Sequence, residues 1–296
     1  MENSQTFKKI LAKRESVHIL FSMNLTQGVH GPELSCALST MKNLEVQMAI
    51  ATKATLVLVV LFLMASPAQS EALWQLDVES GLVFAGYNDV RIPGDTGTLI
   101  SLSDELKIDP TSFFRLRFWH RFADRHTLGI LIAPLRLEAG GEVNRVVIFQ
   151  DTEFPANTHL RSKYRFDSYR LTYRWDFYWA DDLRVGFGAT AKVRDASISL
   201  RGDKEKSEKK NTGLVPLLHF RCQWIFAKEL GLLLEGDALA APQGRAEDVL
   251  LALNFWPDDK VSFKVGYRIL EGGADNDEVY NFTLLNYLVV AGTVTF

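Results

Sequence analysis

From residue 75 to the C-terminus the chain alternates apolar and polar side chains with a period of two, in one segment after another. Successive side chains of a β-strand point to opposite faces, so each such segment reads as a strand with one apolar and one polar face. Leu76, Val78, Leu82 and Phe84 share a parity, with Gln75, Asp77 and Glu79 opposite. Phe114, Leu116, Phe118 and Phe122 alternate with Arg115, Arg117 and Arg121, and Leu128, Ile130 and Ile132 follow. Tyr169 to Phe177 alternates with Arg170, Thr172, Arg174 and Asp176. The cleanest segment runs from Leu183 to Arg194, with Val185, Phe187 and Val193 set against Arg184, Lys192 and Arg194. Segments around Leu218–Phe226, Leu230–Leu234, Val249–Phe255, Val261–Ile269 and Leu288–Phe296 complete the series.

The reading predicts about ten strands, within bounds of eight and twelve, because Val143–Phe149 also has strand character. Short connections (Ala123–His126, Trp179–Asp182, Ala227–Glu229, Pro257–Lys260) alternate with long ones (Asn88–Thr111, Ala139–Lys163, Asp195–Gly213, Ala240–Glu247, Leu270–Val279). Short turns on one side and long loops on the other belong to a transmembrane, antiparallel, up-and-down β-barrel, apolar toward lipid and polar toward its lumen. Alternation alone is shared with a soluble periplasmic β-barrel that binds a small apolar ligand, and that alternative stays open. Aromatic residues near strand ends (Trp175, Phe177; Trp224, Phe226; Phe255, Trp256) favour the membrane form, as does the facing of arginines by acids on the polar side. Overall composition looks soluble, 47% hydrophobic and 23% charged, because the parity separates what the mean cancels.

One apolar run stands outside this pattern. Ala54–Ala65 follows Lys53 and precedes Ser66-Pro67-Ala68-Gln69-Ser70, the parts of a secretory signal peptide, with cleavage expected near Ser70. The run is short for a spanning helix of about 20 residues. Residues 1–47 lack the form of a leader, and the reading expects an over-extended start, with Met41 or Met48 opening one of ordinary length. The organisation is therefore a 1–70 leader and a 71–296 barrel domain, the latter with 27 basic and 32 acidic residues. That balance excludes a basic nucleic-acid binder. Cys36 leaves with the leader, so Cys222 has no partner for an intramolecular disulfide.

The last segment, Tyr287-Leu-Val-Val-Ala-Gly-Thr-Val-Thr-Phe296, resembles the C-terminal assembly signal of bacterial outer-membrane proteins. Gly86–Gly97 and Gly266–Tyr280 are similar to stretches that recur in small uncharacterised outer-membrane β-barrel proteins. The resemblance implies a Gram-negative outer membrane, insertion by the barrel-assembly machinery, with Phe296 as the signal residue, and contact with outer-membrane lipid and lipopolysaccharide. It brings no catalytic residues, and a monomer is expected.

The polar parity gathers a lumen charge cluster: Arg115, Arg117, Arg121, Arg170, Arg174, Arg184, Arg221 and Arg268 with Glu79, Glu235 and Asp237. Lys192, Arg194, Lys264, Asp77 and Asp176 share that side. Buried charges must pair or stay hydrated, so the reading expects a salt-bridged filling of a structural barrel; the alternative is a narrow basic pore passing anions. An enzyme, such as a lipid-modifying one, is not expected. The barrel's histidines are His120, His126, His159 and His219, and no H-x-S or G-x-S-x-G motif accompanies them. His219 is expected to join the charge network. Asp275-Asn276-Asp277-Glu278 lacks a full calcium ligand set and reads as a solvated loop. No cofactor or metal is expected. Arg201–Lys210, which contains Arg-Gly-Asp, reads as a hydrated, mobile external loop.

Overall fold

A sheet in hydrocarbon cannot leave its edge N–H and C=O groups unpaired, so it must return to its first strand. The computed structural model, which describes residues 73–242 and 244–296, does this. The expected leader, with cleavage near Ser70, lies outside the described residues. The strands are β1 (Leu73–Arg91), β2 (Ile100–Ser101), β3 (Thr111–Phe122), β4 (His126–Ala133), β5 (Arg136–Val143), β6 (Val147–Phe149) and β7 (Thr152–Phe154). After these come β8 (Thr158–Trp179), β9 (Leu183–Arg201), β10 (Lys206–Ala227), β11 (Leu230–Ala241), β12 (Gly244–Phe255), β13 (Val261–Asp275) and β14 (Tyr280–Thr295). Neighbours pair antiparallel around the ring, and β14 closes on β1 from Gln75↔Thr295 to Arg91↔Tyr280. Beyond that ladder, Trp74 and Phe296 exchange backbone hydrogen bonds of 2.9 Å.

Ten strands circle the barrel, because β4 and β5 are two halves of one strand facing β8. Pro134, which has no N–H for the ladder, marks the break between them. The gap is bridged by Phe166 N donating to Leu135 O (3.0 Å) and Leu135 N donating to Asp167 Oδ1 (3.3 Å). The strand character at Val143–Phe149 does not add barrel strands: Val143 ends β5, and β6 pairs with β7 in a separate hairpin.

The apolar parity faces outward. Val78, Leu82, Phe114, Ile130, Leu251 and Val290 are among its exposed side chains, and Trp175, Trp224 and Phe226 mark the short-turn rim. An apolar surface running around the whole barrel is far beyond what water tolerates on a monomer. On the inner parity, two glycines permit close packing. Gly81 sits at φ +141°, where a Cβ would fall 2.0 Å from Leu288 O, and Gly129 leaves room for the indole of Trp119.

Three of the connections expected as long loops are instead extensions of the ladder. Arg201 pairs with Lys206, Ala241 with Gly244, and Asp275 with Tyr280. The charged run Arg201–Lys210 is therefore largely hairpin, not loop. Its partner strand keeps Ile198 and Leu200 buried inside while polar residues face out, and a wet outer face erases the alternation that marks a lipid-facing strand. The 22 residues of β8 extend about 70 Å at ~3.3 Å each. Even tilted by ~45° they overreach an apolar band of ~25 Å by a comparable height.

That projecting end is plugged. The segment between β1 and β3 and the β6–β7 hairpin fold inward, burying Ile92, Ile100, Leu102, Leu106, Phe149 and Phe154 against inward-facing Val83, Leu160, Leu200 and Leu285. The inner face is thus apolar at this end, where a wholly polar lumen was expected, because it packs on loop residues. Thr98 N donates to Ile148 O (2.9 Å), Gln150 N donates to Ile92 O (2.8 Å), and Arg145 binds Glu105 and the carbonyl of Leu99 (2.8 Å).

Hydrogen bonds from Arg145 hold the Glu105 carboxyl below its ordinary value of 4.5. A depressed folded-state pKa means the pair adds stability above the ordinary value and loses it as pH falls through the lowered one. Hydrogen exchange is expected to show amides 98–106 protected in the wild type down to below pH 4.5, and Arg145→Ala faster in the same segment already at neutral pH. Equal exchange in the two proteins at neutral pH would contradict this role.

Candidate functional site

Below the apolar plug the inward parity turns ionic. Asp248 on β12 accepts from Arg115 Nη2 (3.0 Å), Arg170 Nη2 (2.5 Å) and Arg268 Nη1 (2.5 Å). Glu79 accepts twice from Arg268 Nη2 (2.9 and 2.8 Å) and lies 3.4 Å from Arg115 Nε. Asp237 accepts from Arg170 Nη1 (2.6 Å) and Thr190 Oγ1 (2.7 Å), and lies 2.9 Å from His219 Nδ1. Arg117 binds Glu235, which also lies 3.3 Å from Arg221. Arg174 donates to Asp176 (2.9 Å), and Lys264 binds Asp77, which accepts from Thr293 as well (2.5 Å). These groups come from strands all around the barrel, so the network ties opposite walls together across the bore. Seven cations meet six carboxylates in it.

Nine of the residues assigned to the lumen cluster from sequence fall in this network: Arg115, Arg117, Arg170, Arg174, Arg221, Arg268, Glu79, Glu235 and Asp237. Two do not. Arg121 and Arg184 lie at the short-turn end, with guanidinium carbons 5.1 and 4.4 Å from the ring centre of Trp179. Sequence reasoning missed Asp248, which accepts hydrogen bonds from three arginines. Counting back from Asn254, Ala252 and Leu250 at steps of two reaches it, but it falls between the expected loop Ala240–Glu247 and the alternation that begins at Val249. Trp179 was missed too, because it falls in the expected short connection Trp179–Asp182. A bulge between Trp175 and Tyr178 shifts the register, and Trp179 ends opposite inward-facing Arg184.

Lys192 is buried without an ion pair among the described residues, its Nζ 4.8 Å over Phe166. His219 Nε2 has no hydrogen-bond partner among the described residues, so no hydroxyl is held there for activation. His120 stacks on Trp74 at 3.8 Å, and His126 Nδ1 is 2.7 Å from Tyr173 Oη. Asn276 Oδ1 accepts from Glu278 N and Val279 N (both 3.0 Å), which makes the acidic loop a turn. The Phe296 side chain points outward and is exposed. No group of three His, Cys, Asp or Glu among the described residues is placed to hold a metal ion.

Between the network and the short turns lies a vestibule of about 120 Å³. Its walls carry Arg121, Arg174, Arg184, Arg221 and Lys264 against only Asp77 and Glu235, with Trp119, Trp179 and Trp256 as its aromatic surface.

Asp248 gives the sharpest test of the network. Asp248→Ala leaves three buried guanidiniums short of a carboxylate, and removing one partner of a buried ion pair costs about 3–5 kcal/mol. Urea unfolding in detergent is expected to show a loss of that order, while the double variant Asp248→Ala/Arg170→Met recovers part of it. A single variant within error of wild type would contradict the assignment.

No protein-family model matches the chain, and no curated protein matches it. Among solved structures, the chain is similar to the outer membrane protease OmpT from Escherichia coli, with a TM-score of 0.51, 9% identity, and coverage of 78% of this chain and 99% of that one. It also matches Neisserial surface protein A (TM-score 0.31, 13% identity, 77% and 98% covered). A further match is an outer membrane channel from Pseudomonas putida F1 (0.37, 10%, 78% and 100%). At these identities what is shared is the fold, an outer-membrane-type β-barrel.

Proposed function

We propose that this chain is a bacterial outer-membrane protein of structural type, a monomeric barrel whose bore is closed. It is exported on a cleaved leader, inserted by the barrel-assembly machinery through the segment ending in Phe296, and seated among outer-membrane lipid and lipopolysaccharide. The apolar outer face supports a membrane seat over the soluble alternative, which would set Leu82, Phe114, Leu251 and Val290 in water. Short turns, together with the first and last described barrel residues Leu73 and Phe296, lie at one rim, which supports that rim as the periplasmic one.

The observation that carries the closed bore is its double filling. The plug around Phe149 and Phe154 seals the projecting end, and the ion network around Asp248 and Glu79 spans the middle, each with its side chains buried. An ion would have to break several desolvated pairs to pass, so the structural reading is favoured over the narrow pore. A non-enzymatic role is favoured by the histidines: His219 is sealed beneath Trp119, His120 and His126 stack on aromatic neighbours, and His159 is exposed near the start of β8.

Planar-bilayer recording tests the reading. The purified protein is expected to give no unitary conductance steps in molar salt. Steady steps that scale with salt concentration would overturn it.

A further inference from the structure

Most cations that line the short-turn vestibule are already neutralised. Lys264 binds Asp77, Arg221 shares Glu235 with Arg117, and Arg174 donates to Asp176. Arg121 and Arg184 are different. Neither has a carboxylate within 4.0 Å nor a side-chain hydrogen bond among the described residues, although both are only half-exposed. Asp176, already bound by Arg174, acts on both by charge alone, and Asp124 and Asp181 in the adjoining short turns act more weakly still. The two guanidiniums share one ring, that of Trp179, and stacking on an aromatic face orients their N–H edges without consuming them.

A partly buried positive charge with no partner is costly, and the vestibule's other three cations are each paired with a carboxylate. We infer that this vestibule is a binding site for a small organic anion, a carboxylate or phosphate head carried on a flat apolar body. The head meets Arg121 and Arg184, whose fork geometry suits two-oxygen groups. The body lies among Trp119, Trp179 and Trp256, and the vestibule holds on the order of ten water-sized positions, enough for one aromatic ring and its head group. Above the site the ion network blocks onward passage, so the vestibule takes up its ligand and returns it at the same rim. Access from the periplasm rests on the orientation proposed above; binding in detergent does not.

Phenyl phosphate titrated into the detergent-solubilised protein, read by tryptophan fluorescence, tests the inference. The expected result is saturable quenching that the double variant Arg121→Gln/Arg184→Gln weakens by about ten-fold or more, a loss of the size charge-assisted hydrogen bonds give. That variant is expected to keep the heat-modifiable gel mobility of a folded barrel. Trp179→Phe, which retains a ring, reports separately on the signal: binding followed by calorimetry persists while the quenching falls. Benzyl alcohol, the neutral analogue, is expected to give no saturable change, and inorganic phosphate is expected to bind more weakly than phenyl phosphate. No saturable response to phenyl phosphate would overturn the inference, as would undiminished binding by the double variant or equal affinity for inorganic phosphate. A protein that conducts yet binds contradicts only the closed bore, and one that neither conducts nor binds contradicts only this site.

Discussion

The pairing of β14 with β1 is the contact on which everything else depends. Without it, two strands would face hydrocarbon with unpaired N–H and C=O groups, each costing several kcal/mol. The seam runs through sixteen partnered positions, with one irregularity between Ala85 and Tyr87, and Gly81 lets the two strands approach where a side chain would strike Leu288 O. Closure then creates the inside. Once the wall is a ring, every second side chain of every strand must either fill a narrow bore or leave it wet.

Three layers answer that demand, each with different chemistry. At the projecting end, apolar loop residues meet apolar inward residues. In the middle, arginines and acids from opposite walls satisfy one another around Asp248 and Glu79. At the short-turn end the balance fails in one direction, leaving Arg121 and Arg184 beside Trp179. A network of this kind is poor as a source of net stability, since desolvation offsets much of the attraction, but it severely penalises any strand that slips in register. Shifting one strand by a single residue would carry its charges to the lipid side and its leucines into the ion cluster.

The outer face was legible in the sequence because lipid imposes a strict rule on every second residue of each spanning segment. Phe187, Leu218 and Val265, assigned outward by parity, are all exposed. Legibility ended where the rule relaxes. Beyond the bilayer both polar and apolar residues are tolerated outside, so the extended hairpins from Asp195 to Gly213 and from Leu270 to Val279 read as loops. Asp248 escaped notice for the same reason, sitting at the edge of such an extension although its parity points inward. Trp179 was hidden by a bulge, which reverses parity without leaving a mark in hydrophobic spacing. The apolar plug was illegible for another cause: Ile100, Leu102, Phe149 and Phe154 contact residues far away in sequence, and no local period announces such packing.

The central claim is that parity decides which side chains meet lipid and which meet the interior. Tryptophan quenching by lipids brominated on their acyl chains measures that directly, using variants that each retain one tryptophan. Trp175 and Trp224 are expected to be strongly quenched, and Trp119, inside the barrel beside His219, to be nearly unaffected. Quenching of Trp119 as strong as that of Trp224 would contradict the arrangement of the barrel's two faces.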